Sequence, residues 1–115
     1  MNELGHESLA MLKWDIEGFE WDLLRDALHD KQLRGRLPRQ MLFELHYRSH
    51  MRARTSWWHR ERHAGELALL AIDLYEAGYR VVTAHANRGC ASCFEYGLLR
   101  TRCPVPAQGD EHEGP

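Results

Sequence analysis

Short apolar runs alternate with stretches of helical periodicity along most of this chain. Residues 9–15 form an apolar run that ends in a carboxylate, and residues 41–46 form a second run of the same kind. Runs that are apolar on both faces are typical of strands in a parallel sheet, although periodicity alone leaves a buried helix open for the first. Residues 79–84, which are rich in β-branched side chains, predict a third strand, and residues 94–100 predict a fourth.

Two helices are expected between these runs. Apolar residues from Phe19 to Leu28 recur at helical spacing, and this helix should end before Gly35. The pattern over residues 61–77 predicts a longer helix, with Gly78 at the position that follows a helix end. Strands that alternate with helices predict an α/β fold with right-handed crossovers and a parallel sheet. About nine residues without a helix join the last two strands, which allows an antiparallel pair with one strand inserted into the sheet.

Length and composition limit the class of protein. The chain has 115 residues, which is enough for one domain, and 43% apolar with 28% charged residues exclude a fully disordered chain. No apolar run is long enough for a transmembrane helix, and the acidic N-terminus is unlike a signal peptide. We therefore expect no membrane span and, by default, a cytoplasmic location. Three cysteines, an odd number, do not indicate a disulfide framework.

Charge is segregated along the chain. Residues 1–30 carry eight acidic side chains, whereas residues 31–63 carry nine Lys and Arg. The basic stretch 48–63 carries five arginines, interleaved with Trp57 and Trp58 and preceded by Tyr47, a pattern that can follow a nucleic-acid backbone. The pI near 6.4 lies well below that of typical nucleic-acid-binding domains, so a nucleic-acid partner is not expected. This stretch is interpreted as a loop beside an acceptor pocket, and binding of an anionic ligand is the alternative.

Polar residues follow the predicted strands where ligands bind in open α/β sheets, beyond the carboxyl ends. Asp15 and Glu17 follow the first strand, Glu44 and His46 end the second, and Asn87 follows the third. Two carboxylate pairs and an imidazole can position a polar substrate, act as a general base or hold a divalent ion. The structural alternative is that Glu44 and His46 are alternate strand residues that are partly exposed or satisfied by hydrogen bonds.

The cysteines allow two interpretations. Cys90 and Cys93 have half the spacing of a tetrahedral zinc site, and His59 and His63 stand four residues apart at a predicted helix start. These four residues would make a Cys/Cys/His/His set. The favoured interpretation is two reduced cysteines near the start of a strand.

Several segments resemble one family. Residues 13–21, KWDIEGFEW, resemble the K-x-D-[IV]-E-G-x-E-W segment of FkbM-type and related methyltransferase-like domains. Residues 40–46 resemble the fifth strand of that family, and residues 76–79 resemble the start of its sixth. Asn87 with residues 90–96 resembles its closing segment and seventh strand. These domains are class I methyltransferases that depend on S-adenosylmethionine. Trp14 stands where the family has a small or aliphatic residue.

The resemblance implies the C-terminal half of a methyltransferase domain over residues 9–102. The expected fold is a truncated Rossmann-like sheet, strands four to seven of the family, in a three-layer α/β/α half-domain. Residues 1–8 would be an N-terminal extension and residues 103–115 a flexible acidic tail. The family holds its cofactor with a Gly-rich turn after the first strand, and no G-x-G occurs in this sequence. The chain is therefore expected to be inactive as an isolated fragment.

Residue roles follow from the same resemblance. Asp15 and Glu17 are the expected cofactor-binding residues near the transferred methyl, with S-adenosylmethionine as cofactor. Asp15, Glu44 and His46 are the candidate catalytic residues, and His46 is the candidate base toward a small-molecule acceptor. An exposed sheet edge suggests a homo-oligomer or a complementing chain. The alternative function is a non-catalytic α/β module that binds a partner chain or an anionic ligand through its Arg/Trp segment.

Overall fold

The computed structural model describes residues 8–47 and 62–102, which form a four-stranded sheet and three helices. Most of the predicted N-terminal extension, most of the basic stretch and the predicted tail lie outside these described residues. In chain order, the elements are β1 (Met11–Trp14), α1 (Glu20–His29), α2 (Lys31–Arg36), β2 (Gln40–His46), α3 (Ala64–Glu76), β3 (Tyr79–Ala86) and β4 (Cys93–Arg100).

The sheet is open and mixed, with the strand order β1-β2-β4-β3. β2 runs parallel to β1, whereas β4 lies antiparallel between β2 and β3. The α/β class and the insertion of one late strand into the sheet are therefore confirmed. Because the connection from β3 to β4 is short, β4 turns back and pairs antiparallel with β3. The other edge of β4 then pairs with β2.

The helices α1 and α3 contact each other and lie on one face of the sheet. Their buried side chains join Met41, Phe43 and Leu45, which are alternate residues of β2, in a single core. The described residues thus form two layers, and the expectation of three layers is wrong for this part of the chain. Both crossovers step in the same direction across the sheet, so right-handed connections place both helices on the same face.

The local sequence explains the helices. Trp21, Leu24 and Leu28 recur at helical spacing and are buried, so α1 presents one apolar stripe to β2. The side chain of Asp30 accepts hydrogen bonds from the backbone N–H groups of Gln32 and Leu33. Asp30 is therefore an N-cap that starts α2, a separate helix that the sequence analysis did not predict.

Gly78 and Trp14 occupy positions where the side chain, or its absence, fits the local structure. Gly78 follows α3 with a φ of 91°, and a Cβ there would collide with the carbonyl oxygen of Arg102. The prediction of a helix-terminating glycine is confirmed. Trp14, the bulky residue of β1, is buried in the core formed by the helices.

Candidate functional site

The four predicted site residues meet at the carboxyl ends of β1 and β2. The Nε2 atom of His46 lies 3.5 Å from a carboxylate oxygen of Glu17 and 3.8 Å from one of Glu44. Ligating atoms of Asp15, Glu20 and His46 all lie within 4.8 Å of one another. Because β1 and β2 are parallel neighbours, their ends are adjacent, and the sequence-based expectation of a polar cluster at this edge holds.

Glu20, at the start of α1, is the site residue that the sequence analysis missed. It is 0% exposed, and one carboxylate oxygen accepts hydrogen bonds from the Ile16 N–H at 2.8 Å and from His46 Nδ1 at 3.1 Å. The other oxygen accepts from the Gly18 N–H at 2.8 Å. Glu20 stands four residues before Leu24, on the apolar stripe of α1. A charged residue on that stripe was the available signal.

The β1–α1 loop wraps around this carboxylate. Glu17 has a φ of 58° and Gly18 a φ of 106°, so two successive residues adopt left-handed conformations. Glycine adopts such a conformation without the steric cost of a Cβ atom, whereas Glu17 bears that cost. The loop thereby directs both Glu17 and the buried Glu20 toward His46.

Glu20 holds the imidazole of His46, and Trp21 holds the His46 backbone. A carboxylate only accepts hydrogen bonds, so Nδ1 carries the proton in its contact with Glu20. The backbone oxygen of His46 accepts from the indole N–H of Trp21 at 3.0 Å, and the imidazole itself is 6% exposed. Nε2 then faces the carboxylates of Glu17 and Glu44, at 3.5 and 3.8 Å.

Glu44 is positioned by the residue that was predicted to follow the third strand. The Asn87 side-chain amide donates to Glu44 at 2.6 Å, and the Asn87 side-chain oxygen accepts from the Gly89 N–H at 2.8 Å. Glu95 lies directly opposite Glu44 across β2 and β4, and it pairs with His85 at 2.5 Å. Asn87 and His85 therefore offset the repulsion between two carboxylates on the open face of the sheet.

A cavity of about 230 Å³ adjoins this cluster on the sheet face opposite the helices. Its lining includes Lys13, Asp15, Glu44, His85 and Glu95. Pockets for larger organic ligands usually enclose about 300–1,000 Å³. The cavity formed by the described residues is smaller than this range. A cavity of about 150 Å³ under α3 is lined almost entirely by apolar side chains and contains none of the predicted site residues, so we regard it as a packing gap.

The cysteines differ from the favoured sequence interpretation. In a tight turn, the backbone oxygen of Cys90 accepts a hydrogen bond from the Cys93 N–H. The two Cα atoms lie 5.3 Å apart, and the side chains form a disulfide. Cys93 is buried and lies opposite His46 in the β2–β4 register. Ligating atoms of Cys93, His46 and Glu44 lie within 4.8 Å of one another. His59 is outside the described residues, and His63 is the N-terminal residue that precedes α3.

The described end of the basic stretch is occupied by internal contacts. The Arg62 guanidinium is 5% exposed and lies 3.1 Å from Glu66 and 3.4 Å from Asp22. It also lies over the ring of Trp21, 5.5 Å from its centroid. This arginine thus stabilises the contact between α1 and α3. The rest of the predicted Arg/Trp segment, residues 48–61, lies outside the described residues.

The chain was compared with models of known protein families, with curated proteins and with solved structures. None of these matches it. Of the described helices, none has the length and apolar character needed to cross a membrane.

Proposed function

We propose that residues 9–102 form the acceptor-side half of an S-adenosylmethionine-dependent methyltransferase domain. The observation that carries this proposal is contact between the separate segments that resemble the family. Glu20 and Trp21 of the first segment contact His46 of the second, and Asn87 of the closing segment contacts Glu44 of the second. Segments that are distant in sequence thus build one polar site.

The order of the strands also supports the proposal. In class I methyltransferases, the seventh strand runs antiparallel between the fifth and the sixth. β4 lies antiparallel between β2 and β3, which are the strands assigned to those positions by the resemblance. This order is shared with other mixed sheets, so it supports the proposal through its agreement with the motifs rather than alone.

The charges of the site fit the cofactor. S-adenosylmethionine supplies an electrophilic methyl group on a positively charged sulfur. Asp15 and Glu17 place carboxylates at the end of β1, where they complement a cation and accept hydrogen bonds from amine or hydroxyl groups. The cavity at this edge is small for the whole cofactor, so in this proposal the remaining contacts come from a Gly-rich half on this or another polypeptide.

The acceptor chemistry is assigned to β2. In this proposal, His46 removes a proton from an acceptor hydroxyl through Nε2, while Glu20 holds the opposite nitrogen in its protonated form. Glu44, fixed by Asn87, orients the acceptor. In this proposal the acceptor is a small molecule with a hydroxyl group, because the cavity is small and its lining carries carboxylates, Lys13 and His85, which can form hydrogen bonds with a hydroxyl.

The exposed edge of β1 offers a place for a further strand to pair with the sheet. Within the described residues, β1 pairs only with β2, so the backbone groups on its other side are available to another strand. We infer that the complementing segment, or a second copy of the chain, pairs along this edge.

Thermal unfolding with and without S-adenosylmethionine tests the cofactor assignment. A ligand at about 100 times its Kd adds about 2.7 kcal/mol to the stability of the folded state. We expect an upward shift in the melting temperature that Asp15→Asn diminishes and Asp26→Asn, on the outer side of α1, leaves unchanged. No shift at millimolar cofactor, or an equal shift in both variants, would contradict the assignment.

A further inference from the structure

Two sulfur atoms lie beside the polar cluster, and the methyltransferase proposal does not use them. Cys93 lies opposite His46, and the buried Glu44, His46 and Cys93 bring ligating atoms within 4.8 Å of one another. The disulfide places the sulfur of Cys90 against that of Cys93. We propose that, once this disulfide is reduced, Cys90, Cys93, His46 and Glu44 bind a Zn²⁺ ion.

The distances suit a tetrahedral ion after small movements. Zinc bonds of about 2.3 Å to sulfur and about 2.0–2.2 Å to nitrogen or oxygen imply separations of about 3.3–3.8 Å between neighbouring ligand atoms. His46 Nε2 and the nearer Glu44 oxygen are already 3.8 Å apart. Since the ligand atoms of Glu44, His46 and Cys93 all lie within 4.8 Å of one another, no separation has to contract by more than about 1.5 Å. Two thiolates with an imidazole favour zinc over the hard cations Mg²⁺ and Ca²⁺.

The surrounding hydrogen bonds already orient the two non-sulfur ligands. Glu20 accepts from His46 Nδ1, so the lone pair for a metal is on Nε2, the nitrogen that faces Glu44. Asn87 holds one oxygen of Glu44 and leaves the other directed at His46. A histidine ligand whose second nitrogen donates to a carboxylate is the usual arrangement in zinc proteins, because it fixes the ring and increases its basicity.

The site depends on redox state because a sulfur in a disulfide cannot act as a thiolate ligand. A phosphine reductant converts the disulfide to two thiols, and the phosphine becomes a phosphine oxide with oxygen taken from water. Each sulfur thereby gains one proton. Zinc binding then displaces both thiol protons. Bound zinc occupies the Nε2 atom of His46, so it blocks the proton removal assigned to that atom. The zinc proposal does not rest on the methyltransferase proposal.

Cobalt substitution tests the site directly in the full 115-residue chain. We expect the phosphine-reduced, oxygen-free chain to bind one equivalent of Co²⁺ with thiolate-to-cobalt charge-transfer absorption and the visible bands of a tetrahedral ion. Zn²⁺ should displace the cobalt, and the disulfide form should give neither signal. A reduced chain that shows no charge-transfer absorption at millimolar Co²⁺ would overturn the proposal, and this result requires no variant to fold.

Matched variants identify the ligands. Cys93→Ser and His46→Gln should abolish the tetrahedral spectrum, whereas Cys103→Ser and His85→Gln should preserve it, since neither replaces a proposed ligand. Asn87→Ala should weaken binding by about 10- to 100-fold, because it releases Glu44 without removing a ligand. Far-UV circular dichroism verifies that each variant is folded. Retention of the spectrum in a folded Cys93→Ser chain, or its loss in folded Cys103→Ser, would contradict the assignment.

Discussion

The buried carboxylate of Glu20 provides a stringent test of how the site is built. Glu20→Gln keeps the shape of the side chain but replaces one acceptor oxygen with an NH₂ group. If the amide oxygen keeps the hydrogen bonds to Ile16 and His46, the new NH₂ group faces the N–H of Gly18. That N–H then loses the acceptor that Glu20 provides. A buried donor without an acceptor costs about 1–3 kcal/mol, and the remaining two bonds lose their charge assistance. We expect Glu20→Gln to reduce the free energy of unfolding by about 3 kcal/mol.

Urea unfolding measures this change, with the slope of the transition checked for constancy between variants. The control is Asp26→Asn on the same helix, whose side chain is 73% exposed and pairs with Arg25 at 3.7 Å. An exposed pair of this kind contributes little, so the control should change stability by less than about 0.5 kcal/mol. A loss below about 1 kcal/mol for Glu20→Gln, or one equal to that of the control, would refute the assigned role of Glu20.

Two further predictions concern the opposite end of the sheet. Gly78→Ala should destabilise the fold by about 1–3 kcal/mol in denaturant unfolding, since it forces a Cβ into a left-handed position against a backbone carbonyl. Gly65→Ala, in α3 with open space around it, should instead stabilise the fold by about 0.5–1 kcal/mol. Changes in stability of the same sign for the two variants would contradict this account. Burial raises the pKa of Tyr79, although Arg100 beside it acts in the opposite direction. The folded state therefore holds this proton more tightly than the unfolded chain, and stability should fall as pH rises above about 10. Tyr79→Phe removes the hydrogen bond to the Pro38 carbonyl and costs stability at neutral pH. The difference in unfolding free energy between this variant and the wild type should shrink above that pH. A difference that stays constant with pH would refute the link between Tyr79 ionisation and stability.

Much of the fold follows from local sequence patterns. The four strands and the helices α1 and α3 correspond to apolar runs and to a 3.6-residue period, and Gly78 marks a helix end. The short helix α2 was missed because Asp30 restarts a helix within one continuous polar pattern. The single helical layer was missed because it depends on the direction in which successive crossovers move, not on any one element.

The site was predictable where it depends on parallel neighbours. Asp15, Glu17, Glu44 and His46 come together because β1 and β2 end at the same edge. The approach of Cys93 to His46 depends on the register of β4, and a shift of one residue would move Cys93 to the helix-covered face. The register of β4 results from packing across the whole sheet, so no local sequence pattern could predict it.

Site-resolved binding of S-adenosylmethionine is the most direct test of the proposed function. Amide NMR spectra of the ¹⁵N-labelled chain, titrated with the cofactor to millimolar concentration, detect even weak binding. The account predicts saturable shifts concentrated at residues 15–18, 44–46 and 87, with the amides of the outer side of α3 unchanged. Shifts confined to other regions, or none at all, would contradict the assignment of Asp15 and Glu17 to cofactor binding.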